Sequence, residues 1–187
     1  MLNALRLLGQ DLREKSRLAG RGDGPGSVAR TLVGDGSLSM VLYRLMQGAR
    51  ESRLGPLEMV FNKLNSIYGN CIIGRGTDFG PGFVLFHSDG VVINGKVRGG
   101  SRIRIQHQVT IGANERDECP TLGSDIIIGA GAKIIGPVTI GDGARIGANA
   151  VVVHDVLPNT TVVGIPAKPV KRRDRGEDGA PPDGASK

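Results

Sequence analysis

The chain has no tryptophan, two tyrosines and four phenylalanines in 187 residues. A layered domain of that length normally fills its interior with large side chains, so their scarcity points to a fold made of small, repeated turns. Cysteine is scarce as well. Cys71 and Cys119 stand alone without paired-cluster spacing, which argues against a disulfide framework and a zinc knuckle. No apolar run approaches a membrane span. The opening Met1–Arg6 is amphipathic and lacks the features of a secretory leader, so the expectation is a cytoplasmic protein. There is no G-x-S-x-G elbow and no P-loop lysine.

The formal charge of +6 is unevenly spread. Residues 1–70 hold ten Lys/Arg against six Asp/Glu, residues 71–170 nine against eight, and residues 171–187 five against four. A nearly neutral central region is a poor footprint for nucleic acid, and none is expected as a partner. The basic excess gathers at Arg13, Lys15, Arg17 and Arg21. This reads as a solvated helix face, with contact to an anionic membrane surface as the second reading.

What the chain does have is thirty glycines and a period. Leu122, Ile128, Ile134, Ile140, Ile146 and Val152 follow one another at steps of six. Four residues after each stands a small or aliphatic partner: Ile126, Ala132, Val138, Ala144, Ala150 and Val156. Glycine directly follows four of the leads, at Gly123, Gly129, Gly141 and Gly147, where it is expected to serve the corner. A helix of 3.6 residues per turn would scatter such a pattern around its axis. A short strand followed by a tight turn accounts for it. The same phase holds upstream in Ile73, Phe79 and Leu85, then in Ile93, Ile105 and Ile111, with Gly99 a weak member. It slips by eight residues between Leu85 and Ile93 and by eleven between Ile111 and Leu122. Extra residues must leave the coil as loops, so loops are expected around His87–Gly90 and Ala113–Thr121, and loops on a rigid scaffold are where chemistry concentrates.

Three regions follow: an α-helical segment over 1–70, a β-helix over 71–170, and a charged, small-residue tail over 171–187 expected to be disordered. In the first, Leu38, Val41, Leu42, Leu45 and Met46 recur at helical spacing, with Ser37 or Ser39 as the cap. Pro56 starts a second helix carrying Leu57, Val60, Phe61 and Leu64, and Ala19–Gly36 reads as a glycine-rich loop.

Of three histidines, His154 reads as an outward residue of the repeat. His107 follows a lead aliphatic by two and should also point outward, into a groove. His87, in the first slip, is the candidate general base, since a neutral imidazole can take a hydroxyl proton near pH 7. Asp89 lies two residues on and could orient the ring, or Asp89-Gly90 could be a plain turn. No short His-x-His spacing supports a metal site. Cys119 is preceded by Glu115, Asp117 and Glu118, acids that would blunt it as a nucleophile and leave it as a wall of an acceptor pocket.

The run Pro120–Val153 and the ending Val162–Lys168 closely resemble hexapeptide-repeat acyltransferases of the serine O-acetyltransferase type, and the likeness extends back to His87. The resemblance implies a left-handed parallel β-helix, assembled as a homotrimer with active sites between subunits. It implies acetyl-CoA as donor, with no metal, and His87 as the catalytic histidine. Ala113, Ala130 and Ala148 would lie along the pantetheine arm and Lys168 near the CoA phosphates. The chain also departs from the family's pattern. Phe86 stands where an aspartate precedes the histidine, Ile72 replaces an aspartate fifteen residues earlier, and Glu118-Cys119 replaces an Arg-His pair. Those groups hold a zwitterionic amino acid, and unpaired charges bind poorly in a closed site. A branch that acetylates sugar hydroxyls in polysaccharide or lipopolysaccharide assembly shares the stretch His87–Asn94. The expected acceptor is therefore a carbohydrate hydroxyl ahead of free serine, with Phe86, His107 and Cys119 lining its pocket. A non-catalytic β-helix scaffold and a metal-dependent lyase of the carbonic-anhydrase type sharing the coil are the remaining alternatives, the second disfavoured by the missing His spacing.

Overall fold

The structure, a computed structural model, describes residues 1–170; the expected disorder of 171–187 lies outside them. Four helices lead into a coil of short strands. They are α1 (Leu2–Leu18), α2 (Pro25–Leu32), α3 (Ser37–Glu51) and α4 (Gly55–Tyr68).

The coil has three faces. The first stacks β1 (Cys71–Ile73), β4 (Val91–Ile93), β7 (Thr110–Gly112), β10 (Lys133–Ile135) and β13 (Val151–Val152). The second stacks β2 (Asp78–Phe79), β5 (Arg98–Gly99), β8 (Thr121–Leu122) and β11 (Thr139–Ile140). The third stacks β3 (Val84–Leu85), β6 (Arg104–Ile105), β9 (Ile127–Ile128), β12 (Arg145–Ile146), β14 (Thr161–Val163) and β15 (Lys168–Pro169). All pairings are parallel except β14 with β15, where the chain folds back at the last turn. The result is a left-handed parallel β-helix.

Every aliphatic lead residue of the period is buried, from Ile73 through Val152, and so are the partners four residues on. Each fully buried aliphatic side chain contributes roughly 1.5–3 kcal/mol, so the repeat itself is the core. Gly99 is a weak member for a steric reason. A Cβ there would lie 2.5 Å from the Phe79 ring and from Ile103 Cδ1. Phe79, stacked on Phe83 with ring centroids 4.8 Å apart, already fills the axis at that level.

The glycines after the leads do something other than turn the corner. Gly129 does not sit in the left-handed region; instead a Cβ there would come within 2.6 Å of the Ala148 amide nitrogen one coil above. These glycines permit close stacking of successive coils. The left-handed corner positions are others, such as Gln108, Gly131 and Asn149, stacked in one column.

The helices sit on the first coil. The stretch Ala19–Gly36 is not all loop: Pro25 at the first turn starts α2. The α3 cap is not a serine side chain. Gly36, at φ 71°, precedes the helix, and Ser37 Oγ donates to the Thr31 carbonyl at 2.6 Å. The buried face of α3 also differs from the apolar stripe. Leu38 is half exposed, whereas Tyr43, Arg44 and Gln47 are buried, because α3 lies between α1, α4 and the coil. Arg44 donates to Asp11 at 2.7 Å, to Gln47, and to the carbonyls of Phe79 and Gly80. Asp11 in turn accepts from the amides of Gly82 and Phe83. A buried polar cluster thus ties α1 and α3 to the first coil, with its charged groups hydrogen-bonded as burial demands.

Candidate active site

Strand register assembles the site. Leu85, Ile105, Ile128 and Ile146 are paired in sequence up the third face. On the corner that leads to the first face, Asp89, His107, Ala130 and Ala148 stand in one column, the amides of Gln108, Gly131 and Asn149 each donating to the carbonyl one level below. His87, in the two-residue insertion before Asp89, sets its ring beside that of His107, with centroids 6.0 Å apart and an interplanar angle of 73°. Above them the column is reduced to methyl groups, half buried at Ala130 and exposed at Ala148. An imidazole at the foot of a narrow, side-chain-poor wall is suited to a long, thin ligand whose reactive end reaches the ring.

His87 is half exposed, and its Nδ1 lies 3.2 Å from Asp35 Oδ2. A carboxylate on Nδ1 accepts the N–H there and leaves the lone pair on Nε2, the arrangement a general base needs. The carboxylate comes from the turn between α2 and α3, within the stretch Ala19–Gly36 that the sequence reads as a loop. The only signal was Asp35 between Gly34 and Gly36, which reads as ordinary turn chemistry. Asp89, expected to orient the ring, instead accepts from Asn70 Nδ2 at 3.2 Å, while its carbonyl accepts from the Gln108 amide. Phe86 is half buried, with its amide donating to the Ile105 carbonyl at 3.0 Å. Ile72 is exposed on the outer side of β1. His154 is exposed, as the repeat predicts.

The second slip lies on another corner. Ala113 and Cys119 fall between β7 and β8, where the first face leads to the second. That loop is closed on itself by Asn114, whose Oδ1 accepts from the amides of Arg116 and Glu118, both at 3.0 Å. Lys96 reaches up to pair with Asp117. Cys119 packs against the edge of the core, and burial first, then Asp117, raises its thiol pKa against the pull of Lys96 and Arg98. A thiol held protonated in this way is a poor nucleophile. Within one chain, Ala113 and Cys119 therefore do not join His87 or the Ala130–Ala148 wall. Lys168 lies exposed at the end of the coil, in β15, paired with Val163. Among the described residues no group of three or more His, Cys, Asp or Glu converges as a metal site would require.

Residues 120–154 match the family of bacterial transferase hexapeptides, with six repeats. The serine acetyltransferase of Helicobacter pylori is 33% identical over 144 residues, covering 75% of this chain and 84% of the relative. Among solved structures, the serine acetyltransferase of Neisseria gonorrhoeae superposes with a TM-score of 0.82 at 30% identity, covering 92% of this chain and 66% of that one. The soybean serine acetyltransferase, solved with serine, gives a TM-score of 0.74 at 31% identity, with 86% and 67% covered. The chain thus spans about two thirds of each solved enzyme. The imidazole on its small-residue column and these likenesses agree: the chain belongs to the serine acetyltransferase family of hexapeptide-repeat acyltransferases and is an acyltransferase.

Proposed function

We propose that the protein transfers the acetyl group of acetyl-CoA to the hydroxyl of L-serine, with His87 as general base. The observation that carries this reading is the His87 ring beside His107, at the foot of the column His107, Ala130 and Ala148, a base at the end of a wall that a pantetheine arm can follow. His87 Nε2 removes the hydroxyl proton as the serine oxygen attacks the thioester carbonyl. The tetrahedral adduct collapses, the C–S bond breaks, and the imidazolium returns its proton to the departing thiolate. The products are O-acetylserine and CoA. A base so placed contributes roughly 10²–10⁴-fold in rate.

Serine displaces the carbohydrate acceptor favoured by sequence reading. The relatives carry the name serine acetyltransferase, and the soybean enzyme was solved with serine. Positive charge is also present beside Cys119, where Lys96 and Arg98 act on the thiol. Lys96 is paired with Asp117, and Arg98 donates to the carbonyls of Gly76, Gly95 and Val97, so both cations already have partners. The sugar reading keeps one specific support, the apolar Phe86 and Ile72 at the positions expected to hold acids.

The active form on this reading is a homotrimer. His87 and the Ala113–Thr121 loop occupy different corners of one coil, and a neighbouring copy can bring the second corner to the first. Lys168 is assigned to the CoA phosphates. Offering the protein acetyl-CoA with a mixture of L-serine, sugars and nucleotide sugars, then identifying the acetylated product by mass spectrometry, tests the acceptor. O-acetylserine as the main product supports the proposal; an acetylated sugar with unreacted serine replaces it.

A further inference from the structure

We infer that Asp35, contributed by the helical segment, is the positioning carboxylate of His87, taking the place left empty at Phe86, Ile72 and Asp89. The inference deepens the acetyl-transfer reading above and rests on it for its kinetic consequence.

Three observations carry it. First, the Asp35 carboxylate has one hydrogen-bonding partner among the described residues, His87 Nδ1 at 3.2 Å. Asp89, the nearer carboxylate in sequence, is turned onto Asn70.

Second, the turn that carries Asp35 is held on both sides. Lys15, buried in α1, donates through Nζ to the Asp35 carbonyl. Ser37 Oγ and the Gly34 amide both reach the Thr31 carbonyl, at 2.6 and 3.0 Å. These contacts fix the backbone from which the carboxylate projects.

Third, this turn is built directly against the strand that delivers the histidine. Gly36 adopts φ 71°, and a Cβ there would lie 2.6 Å from the Leu85 carbonyl oxygen, two residues before His87. Only glycine allows so close an approach in that conformation. The α2–α3 turn and the end of β3 are therefore fitted to one another, and the dyad lies across their seam.

The charged and titratable groups around the imidazole are few. Asp35 faces it from the α2–α3 turn, with Lys15 of α1 behind the Asp35 carbonyl. His107 faces it from the coil above, and Asp89 shares its own loop. Among them only Asp35 meets Nδ1. Accepting that proton fixes the tautomer with the lone pair on Nε2 and stabilises the imidazolium that forms during the reaction. The ring and the carboxylate are 50% and 80% exposed, so water competes with the contact. The expected effect is accordingly at the lower end for orienting groups, about 10- to 100-fold in kcat.

The test combines a spectroscopic and a kinetic readout on the full chain. In two-bond ¹H–¹⁵N spectra of the neutral imidazole, His87 of the wild type should show the Nδ1–H tautomer, and Asp35→Ala should shift it toward Nε2–H. With acetyl-CoA and serine, Asp35→Ala should lower kcat about 10- to 100-fold while the KM for acetyl-CoA stays within about twofold. Asp35→Asn, which can still accept from Nδ1–H but carries no charge, should keep the tautomer and lose part of the rate. An unchanged His87 spectrum in Asp35→Ala overturns the inference, as does a loss of the Nδ1–H form in Asp89→Asn instead. If the wild type does not acetylate serine, the acceptor assignment fails, and the spectrum still decides the role of Asp35.

Discussion

Arg44 and Asp11, both fully buried, meet at 2.7 Å where the helices join the coil. The pair is completed by Gln47, the carbonyls of Phe79 and Gly80, and the amides of Gly82 and Phe83. Removing one partner leaves a charge in a dry site. Asp11→Ala is expected to destabilise the fold by about 3–5 kcal/mol. A shift of the urea midpoint checks this, and a variant that unfolds with the wild type shows that the joint carries little.

Gly36 makes a more local prediction. Gly36→Ala places a side chain at φ 71° and against the Leu85 carbonyl, at an expected cost of about 1–3 kcal/mol. The same change pushes the Asp35 turn away from His87, so activity should fall further than stability alone accounts for. Thermal melting and steady-state kinetics on one preparation separate the two effects.

The coil was legible in the sequence because its constraint is local and repeated. Each lead from Ile73 to Val152 faces the axis at a step of six interrupted only at the two slips, so the period assigns the core. The helical segment was less legible. The α3 stripe Leu38, Val41, Leu42, Leu45 and Met46 gives the helix and, in Leu42 and Met46, part of its buried face, but not Arg44 and Gln47, which are buried through partners on α1 and the coil. His87 was found because it sits where the period slips. Asp35 was missed because it lies 52 residues away and nothing local distinguishes it from a turn aspartate. Asp89 illustrates the converse, near in sequence yet directed to Asn70.

Along the donor wall, Ala130→Leu and Ala148→Leu add bulk at a half-buried and an exposed position. Each should raise the KM for acetyl-CoA about tenfold or more, with the KM for the acceptor little changed, since a displaced thin ligand forfeits its close contacts. Calorimetric titration with CoA gives the same comparison without turnover. Equal effects on both substrates contradict the assignment of this column to the donor.

Lys15 adds a pH dependence to stability. Burial pushes its ammonium down to about 8 from 10.5, against the pull of Asp35 and with help from Arg21. Below pH 8 folded and unfolded chains are both protonated, and the cost of the buried charge is present in full. Between about 8 and 10.5 the folded chain has released the proton and the unfolded chain has not, so this group makes stability rise with pH, by at most about 3 kcal/mol. Denaturation midpoints across that range should show the rise in the wild type relative to Lys15→Met. Parallel curves for the two proteins contradict it.

Thiol release from acetyl-CoA in the presence of L-serine measures directly whether His87 is the base for acetyl transfer to serine. Serine-dependent release by the wild type is expected to fall by about 10²-fold or more in His87→Ala, with CoA binding retained. Serine-dependent release that persists at the wild-type rate in His87→Ala contradicts the mechanism. Wild-type protein that binds CoA yet releases no thiol with serine contradicts the choice of acceptor.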